Sequence, residues 1–120
     1  MKIAIVDDSL FMRRLIRTAL LEAHPQAQVD EFGDASLALA ALPALGPDLV
    51  TLDLLMPGMS GLAFLSAMEG NARRPRIIVI SADVQKTVRQ KCRDLGATDF
   101  IEKPITLEKL QAALGKLIAA

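Results

Sequence analysis

The chain has 120 residues and a mass of 12.9 kDa, which fits a single domain. Its 14 basic residues balance its 14 acidic ones, which argues against a dedicated nucleic-acid-binding protein, and a hydrophobic content of 52% excludes a disordered chain. The single cysteine, Cys92, excludes an intrachain disulfide, and the apolar run at the N-terminus is too short for a signal peptide or a membrane span. We therefore expect a cytoplasmic protein that neither inserts into a membrane nor binds nucleic acid directly.

Two periodicities alternate along the chain. Short apolar runs rich in Ile and Val indicate buried strands, and the segments between them have helical patterns. The predicted strands are Lys2–Val6, Ala27–Phe32, Asp48–Leu52, Arg76–Ile80 and Asp99–Ile101. The predicted helices are Ser9–Ala23, Ala35–Leu45, Gly61–Glu69, Val84–Leu95 and Leu107–Ile118.

Capping residues and apolar stripes support the helix assignments. Each helix has a residue at its start whose side-chain oxygen can accept hydrogen bonds from the first free amides, namely Ser9, Asp34, Ser60, Asp83 and Thr106. The predicted core-facing stripe of the first helix consists of Phe11, Met12, Leu15, Ile16, Ala19 and Leu20. Cys92 lies on the apolar stripe of the fourth helix, so we interpret it as a buried small hydrophobic residue rather than a nucleophile.

The alternation predicts an α/β fold built from five βα units. Strands that are continuous apolar runs are typical of parallel sheets covered on both faces, and right-handed crossovers then give a doubly wound sheet. Ligands of such sheets bind at the carboxyl ends of the strands. The residues at those ends are therefore the candidate site.

Polar side chains lie at the ends of four predicted strands. Asp7 and Asp8 follow the first strand, Asp53 follows the third, Ser81 ends the fourth, and Lys103 follows the fifth. Three carboxylates placed together repel one another, and Mg²⁺ would offset that repulsion because it prefers oxygen ligands. A carboxylate surrounded by Mg²⁺, an ammonium group and a hydroxyl is suited to phosphoryl transfer, with the carboxylate as covalent acceptor.

The first strand is not followed by a glycine-rich loop. The turn is Asp-Asp-Ser, which disfavours direct nucleotide binding of the P-loop or Rossmann type. The same feature weakens the case for a flavodoxin-type FMN site, although the topology would be the same.

The whole chain resembles the receiver domain of two-component response regulators, and its first helix is similar to that of CheY-like chemotaxis regulators. The segments that carry the resemblance are Ile5–Ser9, Asp48–Gly61, Ile80–Ala82 and Gly96–Ile105. The resemblance implies one receiver domain over residues 1–120, with a flavodoxin-like sheet in the strand order 2-1-3-4-5. It also implies phosphorylation by a sensor histidine kinase or a phosphotransfer protein.

The resemblance assigns roles to individual residues. Asp53 would be the phosphoacceptor, and Mg²⁺, or Mn²⁺ in its place, would be the cofactor. Asp8, Asp53 and the backbone carbonyl of Leu55 would bind the metal directly, and Asp7 would bind it through water.

Further residues would sense the phosphoryl group and pass the signal on. Ser81 and Lys103 would contact phosphoryl oxygens, Phe100 occupies the position of an aromatic switch, and the Lys103–Pro104 peptide bond would be cis. The surface formed by the fourth helix, fifth strand and fifth helix would bind a downstream protein. On this surface the fourth helix carries a basic stripe that favours an acidic partner: Lys86, Arg89, Lys91 and Arg93.

We expect a stand-alone regulator of the chemotaxis or relay type, because the last helix extends to the end of the chain. One alternative is a receiver excised from a larger regulator with a DNA-binding or enzymatic output domain. Another is a phosphorylation-independent interaction module, although such a module would be expected to have lost part of the acidic set or the lysine. A phosphatase or phosphotransferase acting on external substrates is disfavoured, because Leu55 stands where a second carboxylate would act as general acid.

Overall fold

Five strands and five helices alternate in the computed structural model, which describes residues 1–82 and 85–119 and the side chains through residue 115. The strands are β1 (Lys2–Val6), β2 (Gln28–Phe32), β3 (Leu49–Leu52), β4 (Arg76–Ser81) and β5 (Asp99–Glu102). The helices are α1 (Leu10–Ala23), α2 (Ala35–Leu45), α3 (Gly61–Ala67), α4 (Lys86–Asp94) and α5 (Leu107–Ala119). None of the helices in this described part is long and apolar enough to cross a membrane.

The strands form one parallel sheet in the order β2-β1-β3-β4-β5, which confirms the predicted fold class and strand order. The prediction that all five strands are buried is wrong for β2 and β5, whose residues are mostly exposed or half-buried. These two strands lie at the edges of the sheet, where only one neighbouring strand covers them. The central strands β1, β3 and β4 are almost completely buried.

Alternate residues of the central strands enter two separate cores, one on each face of the sheet. On β1, Ile3 and Ile5 pack with residues of α1 and α5, whereas Ala4 and Val6 pack with residues of α2 and α3. This division follows from the period of two along a strand. Cys92 belongs to the second of these cores and is buried, as predicted.

Side-chain caps define the starts of four helices. Ser9 Oγ accepts a hydrogen bond from the Met12 amide at 3.2 Å, and Ser60 and Thr106 make equivalent contacts at α3 and α5. Asp34 caps α2, and the hydrogen bond from the Ser36 hydroxyl, with those from the Leu37 and Ser36 amides, lowers the pKa of the Asp34 carboxyl.

The predicted start of the fourth helix differs from the structure. The helix begins at Lys86, after a Gln85 cap that makes no side-chain hydrogen bond to the helix. Asp83, the predicted cap, and Val84, the predicted first residue, lie outside the described residues.

The predicted apolar stripe of α1 is only partly buried. Ile16, Ala19 and Leu20 are buried, but Phe11 is 76% exposed and Leu15 is also exposed. Successive residues of a helix are about 100° apart, so two neighbouring rows of apolar residues cannot both face the sheet squarely. The row of Phe11 and Leu15 is the one turned away, which leaves apolar side chains at the surface.

The fold predicts opposite effects for two glycine-to-alanine substitutions. A Cβ at Gly61, the first residue of α3, would lie 2.5 Å from the Asp53 backbone oxygen and 2.7 Å from Leu54 Cα. Because backbone cannot move aside as a side chain can, we expect Gly61→Ala to lower the free energy of unfolding by about 1–3 kcal/mol. Gly115 in α5 has open space at its Cβ, so Gly115→Ala is expected to raise stability by about 0.5–1 kcal/mol through helix propensity.

Urea unfolding followed by circular dichroism measures both changes. A midpoint for Gly61→Ala equal to that of the wild type would contradict the proposed close approach of α3 to the loop after β3.

Candidate functional site

Three carboxylates meet at the carboxyl edge of the sheet. Asp7 and Asp53 follow the neighbouring strands β1 and β3, and the Asp53 amide donates to the Val6 carbonyl oxygen at 2.9 Å. One carboxylate oxygen from each of Asp7, Asp8 and Asp53 lies within 4.8 Å of the other two. Asp7 and Asp53 are buried, whereas Asp8 is exposed and opens the cluster to solvent.

Local hydrogen bonds hold Asp7 in place. Its Oδ1 accepts from the Ser9 amide at 2.9 Å, which links the carboxylate to the residue that caps α1. The Arg13 guanidinium donates to the Asp7 backbone oxygen at 2.8 Å and also forms an ion pair with Glu31 at 3.2 Å. The sequence pattern does not reveal this support from Arg13, because the position of Glu31 beside it depends on the pairing of β2 with β1.

Lys103 is the cation of the site. Its Nζ lies 3.4 Å from Asp7 Oδ2 and 3.5 Å from Asp53 Oδ2, so one ammonium group bridges two of the three carboxylates. The Lys103 amide donates to the Ser81 carbonyl oxygen at 2.8 Å, which joins the ends of β4 and β5. The Lys103–Pro104 peptide bond is cis, the isomer that the resemblance implies.

Burial dominates the electrostatics of Asp53. It raises the pKa of the Asp53 carboxyl, and the negative charges of Asp7 and Asp8 act in the same direction. The Leu55 amide, which donates to Asp53 Oδ1 at 3.2 Å, and the Lys103 ammonium oppose this shift. Burial therefore disfavours the ionised form of the carboxyl that is expected to accept the phosphoryl group.

The donor set fits a hard divalent cation. Lys103 contacts two of the three carboxylates, and the oxygens of Asp7, Asp8 and Asp53 are close enough to share one ion. Carboxylate oxygens are the ligands that Mg²⁺ prefers, usually with several waters retained. Direct ligation by Asp8 and the Leu55 carbonyl, and ligation by Asp7 through water, remain predictions.

The two predicted sensing residues lie on adjacent strands. Ser81 is fully buried at the end of β4 and faces Glu102 in the register of β4 and β5. Phe100 is half-buried on β5, opposite Val79, and packs against the core that includes Cys92. Their roles in sensing a phosphoryl group remain predictions.

The predicted basic stripe of α4 is divided in the structure. Lys86, Lys91 and Arg93 are exposed, whereas the Arg89 guanidinium turns toward β5, where it lies over the ring of Phe100 and forms an ion pair with Glu102. Arg89 is therefore not a freely exposed charge. The sequence feature that could have indicated this contact is the spacing of Phe100 and Glu102, which lie two residues apart and therefore on one face of the strand.

A cavity of about 630 Å³ lies at the opposite edge of the sheet, near the starts of β1, β3 and β4. Its lining includes Pro47, Arg74 and Pro75 and none of the predicted site residues. The acidic cluster is partly open to solvent through the exposed Asp8.

Comparison with known proteins agrees with the fold. A protein-family model of the response regulator receiver domain matches residues 3–115. The chain belongs to this family, and it is a receiver domain of the two-component response regulator type.

Relatives of the chain differ in what accompanies the receiver domain. The chain is 36% identical to protein-glutamate methylesterase/protein-glutamine glutaminase 5 of Myxococcus xanthus over 98% of its length, and 34% identical, again over 98%, to the cyclic di-GMP phosphodiesterase response regulator RpfG of Xanthomonas campestris pv. campestris. The aligned regions cover 35% and 32% of those proteins, so the chain spans about a third of their length. The chemotaxis protein CheY4 of Vibrio cholerae matches with a TM-score of 0.87 at 26% identity, over 96% of both chains.

The raised pKa of Asp53 predicts the pH dependence of stability in metal-free buffer. The Asp53 carboxyl contributes most to the free energy of unfolding below its unfolded-state pKa of about 3.8. This contribution is lost as the pH rises through the higher folded-state pKa. Asp53→Asn does not ionise, so we expect the variant to be more stable than the wild type at pH 7. The difference should shrink as the pH falls through the raised folded-state pKa of Asp53 and should level off below about 3.8, where both states are protonated.

Thermal unfolding in a chelating buffer between pH 3 and pH 8 measures this difference. Asp30→Asn removes an exposed carboxylate from β2, away from the cluster, and serves as the matched control. Equal stability of Asp53→Asn and the wild type at every pH would show that burial of the Asp53 charge carries no cost.

Proposed function

We propose that the domain accepts a phosphoryl group on Asp53 from the phosphohistidine of a sensor histidine kinase or phosphotransfer protein. An Asp53 oxygen attacks phosphorus, the new O–P bond forms as the P–N bond breaks, and the electron pair of the broken bond returns to the imidazole. The observation that carries the proposal is the arrangement of Lys103 between Asp7 and Asp53 in a partly open acidic cluster.

Each residue of the cluster has a proposed part in this transfer. Lys103, 3.5 Å from Asp53, offsets negative charge on the transferred group, and the Leu55 amide holds the acceptor carboxylate in position. Asp8, Asp53 and the Leu55 carbonyl would hold Mg²⁺, with Asp7 bound through water. When bound, Mg²⁺ neutralises charge on the phosphoryl oxygens.

The surroundings of Asp53 support an acceptor that carries a signal rather than an enzyme that turns over external substrate. The Leu55 side chain is 60% exposed and lies two residues beyond the acceptor. It has no proton to donate to a leaving group and cannot orient water by hydrogen bonding. The methylesterase and phosphodiesterase named for the relatives would belong to the other two thirds of those proteins.

We propose that the phosphorylated domain signals through the surface of α4, β5 and α5. The hydrogen bond from the Lys103 amide to the Ser81 carbonyl oxygen links this surface to the acidic cluster. New charge-assisted hydrogen bonds from a phosphoryl group to Ser81 and Lys103 have the size needed to change its conformation. The exposed Lys86, Lys91 and Arg93 favour a downstream protein with an acidic binding surface.

The biological setting is proposed more broadly. Structural likeness to a chemotaxis protein supports a chemotaxis-type regulator acting in the cytoplasm, where sensor kinases present their phosphohistidine. Two larger relatives support the alternative, in which a receiver of this kind controls an attached output domain. Phosphorylation of Asp53 is common to both arrangements.

Intact-mass spectrometry tests the phosphoacceptor. We expect the wild type to gain one phosphoryl group from a small acyl phosphate or phosphoramidate in the presence of Mg²⁺, and the gain to disappear in Asp53→Asn or with excess chelator. Asp8→Asn should reduce the gain strongly, whereas the exposed Asp30→Asn should leave it unchanged. No gain by the wild type, or an equal gain by Asp53→Asn, would refute the proposal.

An exposed apolar patch at the start of α1 supports docking of the phosphodonor protein. We define the patch as the exposed side chains of Leu10, Phe11 and Leu15 in α1, whose first residue follows Asp8 by two positions in the sequence. Large apolar side chains grouped at a surface mark protein interaction sites. A donor helix packed on this patch would bring its phosphohistidine toward Asp53.

The patch predicts a difference between protein and small-molecule donors. We expect Phe11→Ala to slow phosphotransfer from a phosphorylated histidine kinase that is active on the wild type by roughly tenfold, because truncation of a buried interface aromatic costs at least 1–2 kcal/mol. Phosphorylation by acetyl phosphate should be unchanged. Leu37→Ala, at an exposed leucine of α2 on the other face of the sheet, is the control, and slowing by Leu37→Ala alone would argue for a different docking site.

A further inference from the structure

Arg89 makes two contacts with β5 that set it apart from the other basic residues of α4. Its guanidinium carbon lies 4.8 Å from the centre of the Phe100 ring, within the range of a cation–π interaction. Its Nη2 lies 3.5 Å from Glu102 Oε2. One side chain of α4 thus holds both an aromatic ring and a carboxylate of the neighbouring strand.

The strand geometry explains how one side chain reaches both partners. Phe100 and Glu102 are two residues apart on β5 and therefore project from the same face of the sheet. Phe100 packs against the core on that face, together with Cys92 and Val88 of α4. Arg89 covers the ring from the helix side.

The environment of the guanidinium indicates a side chain held in place rather than a solvated one. Arg89 Nε is buried and has no hydrogen-bond partner in the described structure, although the charged end of the side chain reaches the surface. Burying that N–H without a partner costs free energy. The contacts with Phe100 and Glu102 must offset this cost.

We infer that Arg89 is a positioning residue that holds the Phe100 ring against α4 and, through Glu102, ties α4 to the strand that ends beside Lys103. Glu102 immediately precedes Lys103, whose amide bonds to Ser81. A rearrangement at the acidic cluster that moves β5 would therefore have to break or remake the contacts of Arg89. The inferred role of Arg89 in signalling rests on the proposed function, whereas the inference that Arg89 positions the Phe100 ring does not depend on it.

The expected effect of removing Arg89 follows from the strength of its cation–π interaction with Phe100. A cation–π contact at a partly exposed site changes a conformational equilibrium by roughly two- to fivefold. Loss of Arg89 should therefore increase the population of other ring positions by about that factor. A movement of the ring that accompanies phosphorylation would become easier by the same factor.

Fluorine NMR of the unphosphorylated protein tests the hold on the ring. The chain has four phenylalanines, so labelling with 4-fluorophenylalanine gives four signals, and Phe100→Leu identifies the one from position 100. In Arg89→Gln we expect that signal to shift or broaden while those of Phe32 and Phe64 stay in place. Arg89→Lys should restore it in part, and Arg93→Gln, at an exposed basic residue of the same helix, should not affect it.

A Phe100 signal that is unchanged in Arg89→Gln would overturn the inference. If Arg89→Gln moves all four signals because the fold is disturbed, Glu102→Gln takes its place, since it removes one contact of Arg89 at an exposed position. A Phe100 signal that also stays unchanged in Glu102→Gln would then overturn the inference.

Phosphorylation by acetyl phosphate with Mg²⁺ tests the link to signalling. Arg89→Gln should lower the donor concentration for half-maximal phosphorylation by roughly two- to fivefold. The same substitution in a Phe100→Leu background should have no effect, because the ring is absent. An equal effect in both backgrounds, or a higher donor requirement, would overturn the link through Phe100. Absence of phosphorylation in the wild type would refute the proposed function and leave the NMR result to decide on Arg89.

Discussion

Repulsion among three carboxylates is the constraint on which the rest of this structure depends. Asp7, Asp8 and Asp53 converge at one edge of the sheet, and Lys103 is the cation that contacts two of them. The balance is incomplete, because burial still raises the pKa of Asp53. A divalent cation bound by these carboxylates would lower this residual cost.

The parallel sheet makes this concentration of charge possible. The central strands are buried on both faces, and their parallel pairing brings the strand ends that carry Asp7, Asp53 and Ser81 to one edge of the sheet. The helices that follow the strands add further constraints: Ser9 caps α1 while its amide binds Asp7, and Gly61 allows α3 to start in contact with the backbone of Asp53. The same residues thus terminate secondary structure and position the site.

Sequence reasoning succeeded where one local pattern determined the outcome. Apolar runs predicted the strands, and capping side chains predicted the starts of α1, α2, α3 and α5. Sequence reasoning failed where the position of a side chain depends on contacts with another element of the fold. Phe11 was predicted to face the core but is exposed, and Arg89 was predicted to belong to a basic partner-binding stripe but covers Phe100. Neither outcome is visible in the periodicity of α1 or α4 considered alone.

The sequence by itself determined the five βα units, the family and the residues at the strand ends, because these depend on short-range periodicity and on motifs with specific spacing. Only the tertiary structure decided how Lys103 is shared between Asp7 and Asp53, and which apolar row of α1 is left at the surface. It also decided that Arg89 reaches across to β5. These features depend on distances between residues far apart in the chain, which are set by the pairing of strands and the packing of helices on the sheet.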